Sequence, residues 1–191
     1  MSVPSGTLYY LIGPSGAGKD SLLAALPRHL EPDAPVAIAR RAITRPADAT
    51  GEDHLPLDRE AFRERQAQGA FALSWESHGC LYGIGIEVDQ WLARGTRVLV
   101  NGSRGALERA QDHWGKALTP VVVRVDADVL AQRLQRRGRE DGHAIHQRLD
   151  RARALGEPAH PRRLIIDNNG PLDQAAARLA ALVAGRGSAC S

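Results

Sequence analysis

The chain has 191 residues, 43% hydrophobic and 25% charged, with a formal net charge of +3 at pH 7. These proportions describe one globular domain with a sizeable core and exclude a disordered or fibrous chain. Two cysteines, Cys80 and Cys190, are too few for a disulfide framework or a zinc cluster. No basic run is interleaved with aromatics, no apolar stretch approaches a membrane span, and the N-terminus has no signal-peptide pattern. The expectation is a soluble cytoplasmic protein, monomer or homodimer, with no nucleic-acid or membrane partner.

In chain order, apolar β-type runs alternate with helix-period segments. A strand is predicted over Thr7–Ile12, a helix over Asp20–Leu30 and a strand over Val36–Ile43. Residues 44–83 break the rhythm with loops, a short helix (Asp58–Gln66) and an aromatic-containing strand (Phe71–Trp75). Helix Ile84–Arg94, strand Arg97–Asn101 and helix Arg104–Trp114 follow. Strand Pro120–Val125, helices Ala127–Arg137 and Ala144–Leu155, strand Leu164–Asp167 and helix Leu172–Ala184 complete the pattern. The runs Val98-Leu99-Val100 and Val121-Val122-Val123 are continuous rather than alternating, as strands buried on both faces are. The pattern predicts an α/β fold: a five-stranded parallel sheet with helices on both faces. Residues 44–83 read as an inserted acceptor-binding lobe, 1–43 and 84–191 as the core, and about 136–143 as a small charged lid.

Strand one runs into Gly13-Pro14-Ser15-Gly16-Ala17-Gly18-Lys19, which fits G-x-x-x-x-G-K, with Asp20 where Ser or Thr is usual and Ser21 next. The glycines let successive backbone N–H groups converge on one anion, and the loop feeds a helix N-terminus that favours negative charge. Lys19 then serves as a point charge on the outer phosphates of a nucleotide. Only Lys19 and Lys116 are lysines among 25 Lys+Arg, so a lysine at this place meets a specific requirement. The predicted class is the P-loop NTPase fold, with Gly13–Ser21 on ATP. The third core strand ends Asn101-Gly102-Ser103 without a carboxylate, so Asp20 and Ser21 are the candidate ligands for Mg²⁺.

The chain resembles the guanylate-kinase-like branch of the nucleoside monophosphate kinases over nearly its whole length. The resemblance is carried by the glycine loop, Ile43-Thr44-Arg45, Gly51-Glu52-Asp53, Phe62, Gly69-Ala70-Phe71, Trp75, His78-Gly79, Tyr82-Gly83, Arg137-Gly138 and Arg148-Leu149. It implies that Arg45 and Tyr82 bind the acceptor phosphate, with His54 standing where another tyrosine is usual. It also implies that Arg137 and Arg148 close over the transferring group and that Asn168 contacts adenine. Arg136 and Arg139 are further cations of the lid segment.

Three departures concern the acceptor. Ser74 replaces the glutamate that reads guanine, Ile84 replaces a base-reading Ser or Thr, and Arg41 replaces another base-reading Ser. A site built to hydrogen-bond a base edge loses much affinity when those partners go. A further family arginine has become Asp48. With Gly-Lys-Asp-Ser, Gly-Glu-Asp-His and Val-Asn-Gly-Ser-Arg, the pattern is similar to a branch whose acceptor is ribose 1,5-bisphosphate, in phosphonate breakdown. That resemblance implies ATP as phosphoryl donor and Arg41 and Arg45 as acceptor-phosphate ligands, while Arg104, which follows the third core strand at the open face of the sheet, is the candidate for a second phosphate. The alternative is a guanylate kinase with altered base reading.

Overall fold

A computed structural model of the chain describes residues 6–46, 52–137 and 160–185, the side chains of Arg136 and Arg137 excepted. Two sheets are formed. The larger is a five-stranded parallel sheet of order β2-β7-β1-β8-β9, from β1 (Leu8–Ile12), β2 (Val36–Ala39), β7 (Arg97–Asn101), β8 (Leu118–Arg124) and β9 (Leu164–Asp167). β1 is wholly buried, as are Val98-Leu99-Val100 of β7 and Val121-Val122-Val123 of β8. Such strands carry apolar residues on both faces because both are covered.

The chain divides into two compact units, Met1–Tyr10 with Glu31–Thr119 and Leu11–Leu30 with Pro120–Ser191. In the first, the smaller sheet has the order β4-β3-β6-β5, from β3 (Arg41–Ile43), β4 (Leu55–Pro56), β5 (Phe71–Ser77) and β6 (Cys80–Gly85). Its β5–β6 hairpin turns through His78 and Gly79, at φ 49° and 75°. Helix α2 (Arg59–Ala67) lies before β5, and Asp58 caps it by accepting from the Ala61 N–H at 2.7 Å. Phe62 of α2 stacks on Phe71 of β5, and a Cβ at Gly83 would stand 2.7 Å from the Phe71 ring. Glycine there lets the aromatic lie against the strand. Helices α3 (Glu87–Ala93) and α4 (Leu107–Trp114) complete this unit.

The second unit holds α1 (Lys19–Ala25) with a 3-10 turn after it, α5 (Ala127–Arg137), and the last described helix, Leu172–Val183. Leu130 and Leu134 of α5 form a buried pair against Val125.

Two differences from the sequence-based expectation concern strand pairing. The predicted strand Val36–Ile43 is two strands in different sheets: β2 pairs with β7 up to Ala39, and β3 pairs with β6 from Arg41. The break falls at Arg40, whose charge stays exposed while the partner changes, and periodicity alone does not register a change of partner. The predicted helix Ile84–Arg94 begins only at Glu87, because Ile84 and Gly85 still pair with β3 and β5. The predicted helix Ala144–Leu155 and the lid residues 138–143 lie outside the described residues.

Candidate active site

In the second unit the glycine loop is shaped by positions that only glycine occupies without strain. Gly16 and Gly18 have φ of 92° and 88°, the left-handed region. A Cβ at Gly18 would stand 2.7 Å from Asn168 Nδ2, and one at Gly13 would stand 2.7 Å from the Val123 carbonyl oxygen. Lys19 opens α1, and its ammonium donates to the carbonyls of Gly13 (2.9 Å) and Pro14 (3.2 Å). The lysine is thus anchored over the loop it serves. Asp20 and Ser21 follow in the first turn of α1, Asp20 half-buried and Ser21 exposed.

Asn168, just past β9, is buried. Its Nδ2 donates to the Ala17 carbonyl at 2.7 Å, while Arg133 of α5 donates to its backbone oxygen at 2.7 Å. The side chain expected at adenine therefore braces the glycine loop, and its Oδ1 is buried with no hydrogen-bond partner. Arg133 is a contributor that sequence reasoning missed. Its one signal is helical spacing, which puts it on the turn before Arg137, and that alone names no partner.

In the first unit a second set of phosphate-type cations gathers on and beside β3. Arg41 donates from Nε to Glu52 Oε1 at 2.7 Å, and both side chains are 10% exposed. The Arg41 guanidinium also lies over the ring of Tyr82, 5.1 Å from its centroid, and 6.0 Å from that of Trp75. Trp75 and Tyr82 face each other across the β5–β6 ladder with rings stacked at 5.4 Å. Arg45 reaches Glu52 Oε2 at 3.4 Å, and its Nε is buried without a partner. Arg45 also helps line an open cavity of about 470 Å³ with Thr44, Pro46, Pro56, Leu57, Asp58 and Arg59.

Burial raises the pKa of the Tyr82 phenol above 10.0, against the opposing pull of Arg41 and Arg45. The hydroxyl is therefore a neutral donor at physiological pH, suited to a phosphate oxygen. His54 is buried and faces backbone carbonyls with both ring nitrogens, Glu52 at 3.1 Å from Nδ1 and Arg45 at 3.2 Å from Nε2. A carbonyl only accepts, so a neutral imidazole donates to one of the two at a time. His54 is thus engaged with the chain on either side of residues 47–51 rather than presented to a ligand. Arg40 is held by Asp53 at 2.8 Å and by the His54 carbonyl.

Arg104 opens a 3-10 turn after β7. Tyr10 fixes the residue before it: the phenol donates to the Ser103 carbonyl (3.1 Å) and accepts from the Ser103 N–H (3.0 Å). The side chain of Arg137, and Arg148, Arg139 and Asp48, lie outside the described residues. Among the described residues no group of three or more His, Cys, Asp or Glu could hold a metal ion, and no helix is long and apolar enough to cross a membrane.

The glycine loop and the acceptor-side arginines accord with a family match: a model described as guanylate kinase matches residues 5–185. The chain belongs to the guanylate kinase family. Relatives that bear the name ribose 1,5-bisphosphate phosphokinase PhnN include two from different bacteria. The one from Desulfomicrobium baculatum is 50% identical over 176 residues, covering 92% of this chain and 93% of that protein. The one from Dickeya zeae is 51% identical over 168 residues, covering 87% of each. The crystal structure of guanylate kinase from Anaplasma phagocytophilum is similar in fold, with a TM-score of 0.64 at 15% identity, covering 95% of this chain and 86% of that one.

In this guanylate kinase family member the side chains at the three positions where the resemblance expects base-reading groups make contacts within the chain. The Ser74 hydroxyl accepts from Gln66 of α2 at 2.9 Å. Ile84 is fully buried and pairs with Arg41 across the β3–β6 ladder. Arg41 is committed to Glu52 and to the Tyr82 face.

Proposed function

We propose that this member of the guanylate kinase family transfers the γ-phosphoryl group of ATP to the 1-phosphate of ribose 1,5-bisphosphate, forming 5-phospho-α-D-ribose 1-diphosphate in the cytoplasm. The observation that carries the reading is the joint one at the acceptor side. Relatives near 50% identity over about nine-tenths of the chain bear the name of that kinase. At the three positions where the resemblance expects base-reading groups, Ile84 carries no polar side-chain atom, Arg41 is paired with Glu52 and Ser74 keeps a hydroxyl that already accepts from Gln66. The phosphorylated acceptor of such a kinase has no base to read.

The acceptor oxygen is already anionic near neutral pH, so the reaction needs no strong general base. Catalysis rests on placing the two substrates and neutralising charge on the transferred group. Gly13–Ser21 hold the donor phosphates through loop amides, and Lys19 exchanges its bonds to the Gly13 and Pro14 carbonyls for β- and γ-phosphate oxygens. Arg45 and Tyr82 bind the acceptor phosphate, with Arg104 on the second phosphate and Arg137 and Arg148 on the transferring group. His54 and Asn168 support these groups through the backbone.

Asp20, a hard oxygen donor in the first turn of α1 directly after Lys19, is of a type suited to Mg²⁺, which tolerates few protein ligands and keeps water and phosphate oxygens; Ser21 next to it is the second candidate. Asp20 and Ser21 would hold such an ion, which would supply charge neutralisation to the phosphates of ATP. Asp20→Asn is expected to raise the Mg²⁺ concentration needed for half-maximal rate; an unchanged Mg²⁺ titration removes Asp20 from the metal.

The deciding experiment is an acceptor screen with ATP, comparing ribose 1,5-bisphosphate, GMP and AMP, with the products identified by mass spectrometry. Turnover of ribose 1,5-bisphosphate to the diphosphate, well above GMP, is the expected result. Preferred turnover of GMP reverses it in favour of a guanylate kinase that reads its base by other groups.

A further inference from the structure

Glu52 faces two arginines, and it holds them unequally. Arg41 presents Nε at 2.7 Å and a terminal nitrogen at 2.6 Å to the same carboxylate oxygen, in surroundings that leave both side chains 10% exposed. Its guanidinium face is taken by Tyr82. Arg45 meets the other carboxylate oxygen only at 3.4 Å, is 30% exposed and keeps a buried Nε without a partner. Of the two arginines, Arg45 lines the cavity and Arg41 does not.

Short charge-assisted bonds in a desolvated place are strong, and breaking one leaves a buried charge uncompensated. The Arg41–Glu52 pair is therefore the part of the cluster that resists exchange. The long, single contact of Arg45 is the part that yields, and its unmade Nε bond gains a partner when an anion arrives.

We propose that Glu52 is the resident anion of the acceptor site: it holds Arg41 permanently and Arg45 provisionally, and the acceptor phosphate replaces it on Arg45 alone. Arg41 is then a positioning residue. It keeps the Glu52 carboxylate turned away from the phosphate, and its planar cation covers the aromatic face of Tyr82. Arg41, Arg45 and Glu52 together present one net positive charge, which sets acceptor affinity below what two free arginines would give. This inference rests on the proposed reading of the lobe as the site of a phosphorylated acceptor.

The test follows arginine Nε–H resonances of the ¹⁵N-labelled protein, with a non-hydrolysable ATP analogue filling the donor loop and ribose 1,5-bisphosphate titrated in. Arg45→Lys assigns the moving signal. The Arg45 resonance is expected to shift while that of Arg41 stays. In steady-state assays at saturating Mg-ATP, Glu52→Gln is expected to lower the acceptor KM by about tenfold with little change in kcat. Arg41→Met is expected to raise it by about tenfold, because Glu52 then turns fully onto Arg45. Adding Glu52→Gln to Arg41→Met recovers most of that loss, which a purely structural role for Arg41 would not produce.

An Arg41 resonance that moves with Arg45, a raised KM in Glu52→Gln, or a double variant as poor as Arg41→Met overturns the proposal. If Arg41→Met fails to fold, the titration of the unsubstituted protein and Glu52→Gln still decide. If GMP proves to be the acceptor, the functional reading fails alone, and the same titration with GMP tests Glu52. Stationary signals for both arginines with every phosphorylated acceptor overturn both.

Discussion

The glycine loop and the acceptor lobe both gather groups suited to phosphate, one with backbone geometry and the other with ionised side chains. In the loop, the shape comes from Gly16 and Gly18 in the left-handed region and from Asn168 gripping the Ala17 carbonyl. In the lobe, the shape comes from Arg41, Arg45, Glu52 and the carbonyls around His54. Backbone amides bind phosphate whatever the pH or the neighbouring charge. Side-chain clusters set their own charge balance and can therefore be tuned to one acceptor. The donor is common to many kinases and the acceptor is particular, so the rigid device sits on the first and the adjustable one on the second.

Four measurements sharpen or break this contrast. The largest effect is expected from Lys19→Ala, the one charged side chain of the loop anchored to its carbonyls. Removing such a preorganised charge lowers kcat by about 10³-fold, read by coupled ADP release. A loss under tenfold would mean that the loop amides alone carry the donor.

Next is a pH effect confined to the side-chain-braced unit. Tyr10, which both donates to and accepts from Ser103, has its pKa raised by burial from 10.0 to about 12. A raised folded value stabilises the protonated phenol, so this contribution is complete below pH 10 and is lost as pH rises towards about 12. The loss amounts to ~2–3 kcal/mol. Denaturant melts across that window test it, and Tyr10→Phe reduces the dependence, leaving the share of Tyr9 and Tyr82, whose pKa values burial also raises; an unchanged slope in the variant refutes the assignment.

Gly18→Ala combines a φ of 88° with a Cβ 2.7 Å from Asn168 Nδ2, whereas Gly79→Ala has φ 75° and nothing within 4 Å. Both suffer the left-handed strain of about 1 kcal/mol, and Gly18→Ala adds roughly another 1 kcal/mol of overpacking. Equal melting midpoints would show that the loop lacks the tight brace described for it. The smallest effect is expected from Asn168→Ala, about 1 kcal/mol for the lost bond to Ala17. It should raise the KM for ATP while leaving the acceptor KM unchanged; the reverse pattern would place Asn168 in the acceptor half.

Much of the donor half is legible in the sequence because its determinants are local. The spacing of Gly13, Gly16, Gly18 and Lys19 and the apolar run before them are consecutive, and the backbone conformations they require are properties of glycine itself. The buried apolar runs of β7 and β8 are legible for the same reason: continuity of apolar residues reports two covered faces. The brace from Asn168 was not legible as a brace, because 151 residues separate the two partners. Chemistry at position 168 says amide and nothing about which carbonyl it meets.

The acceptor half was legible as a set of residue types and not as a set of contacts. Arg41, Arg45, His54 and Tyr82 were all marked by the resemblance, yet their order along the chain does not tell which cation is spent on Glu52 and which faces the cavity. That depends on β3 pairing with β6, so that Arg41 meets Ile84 and lies beside Tyr82. The strand break at Arg40 that makes this pairing possible is itself a tertiary decision.

The sequence by itself determined a P-loop α/β kinase core, because that follows from residue identity and short spacing, and the resemblance added the expectation that base-reading groups are lost at residues 74, 84 and 41. Only the tertiary structure decided that Arg41 and Arg45 are unequal, that His54 serves the backbone and that Asn168 and Arg133 hold the loop. Ion pairs and buried hydrogen bonds depend on which groups are brought within about 3 Å and away from water, and the folded chain alone sets that distance.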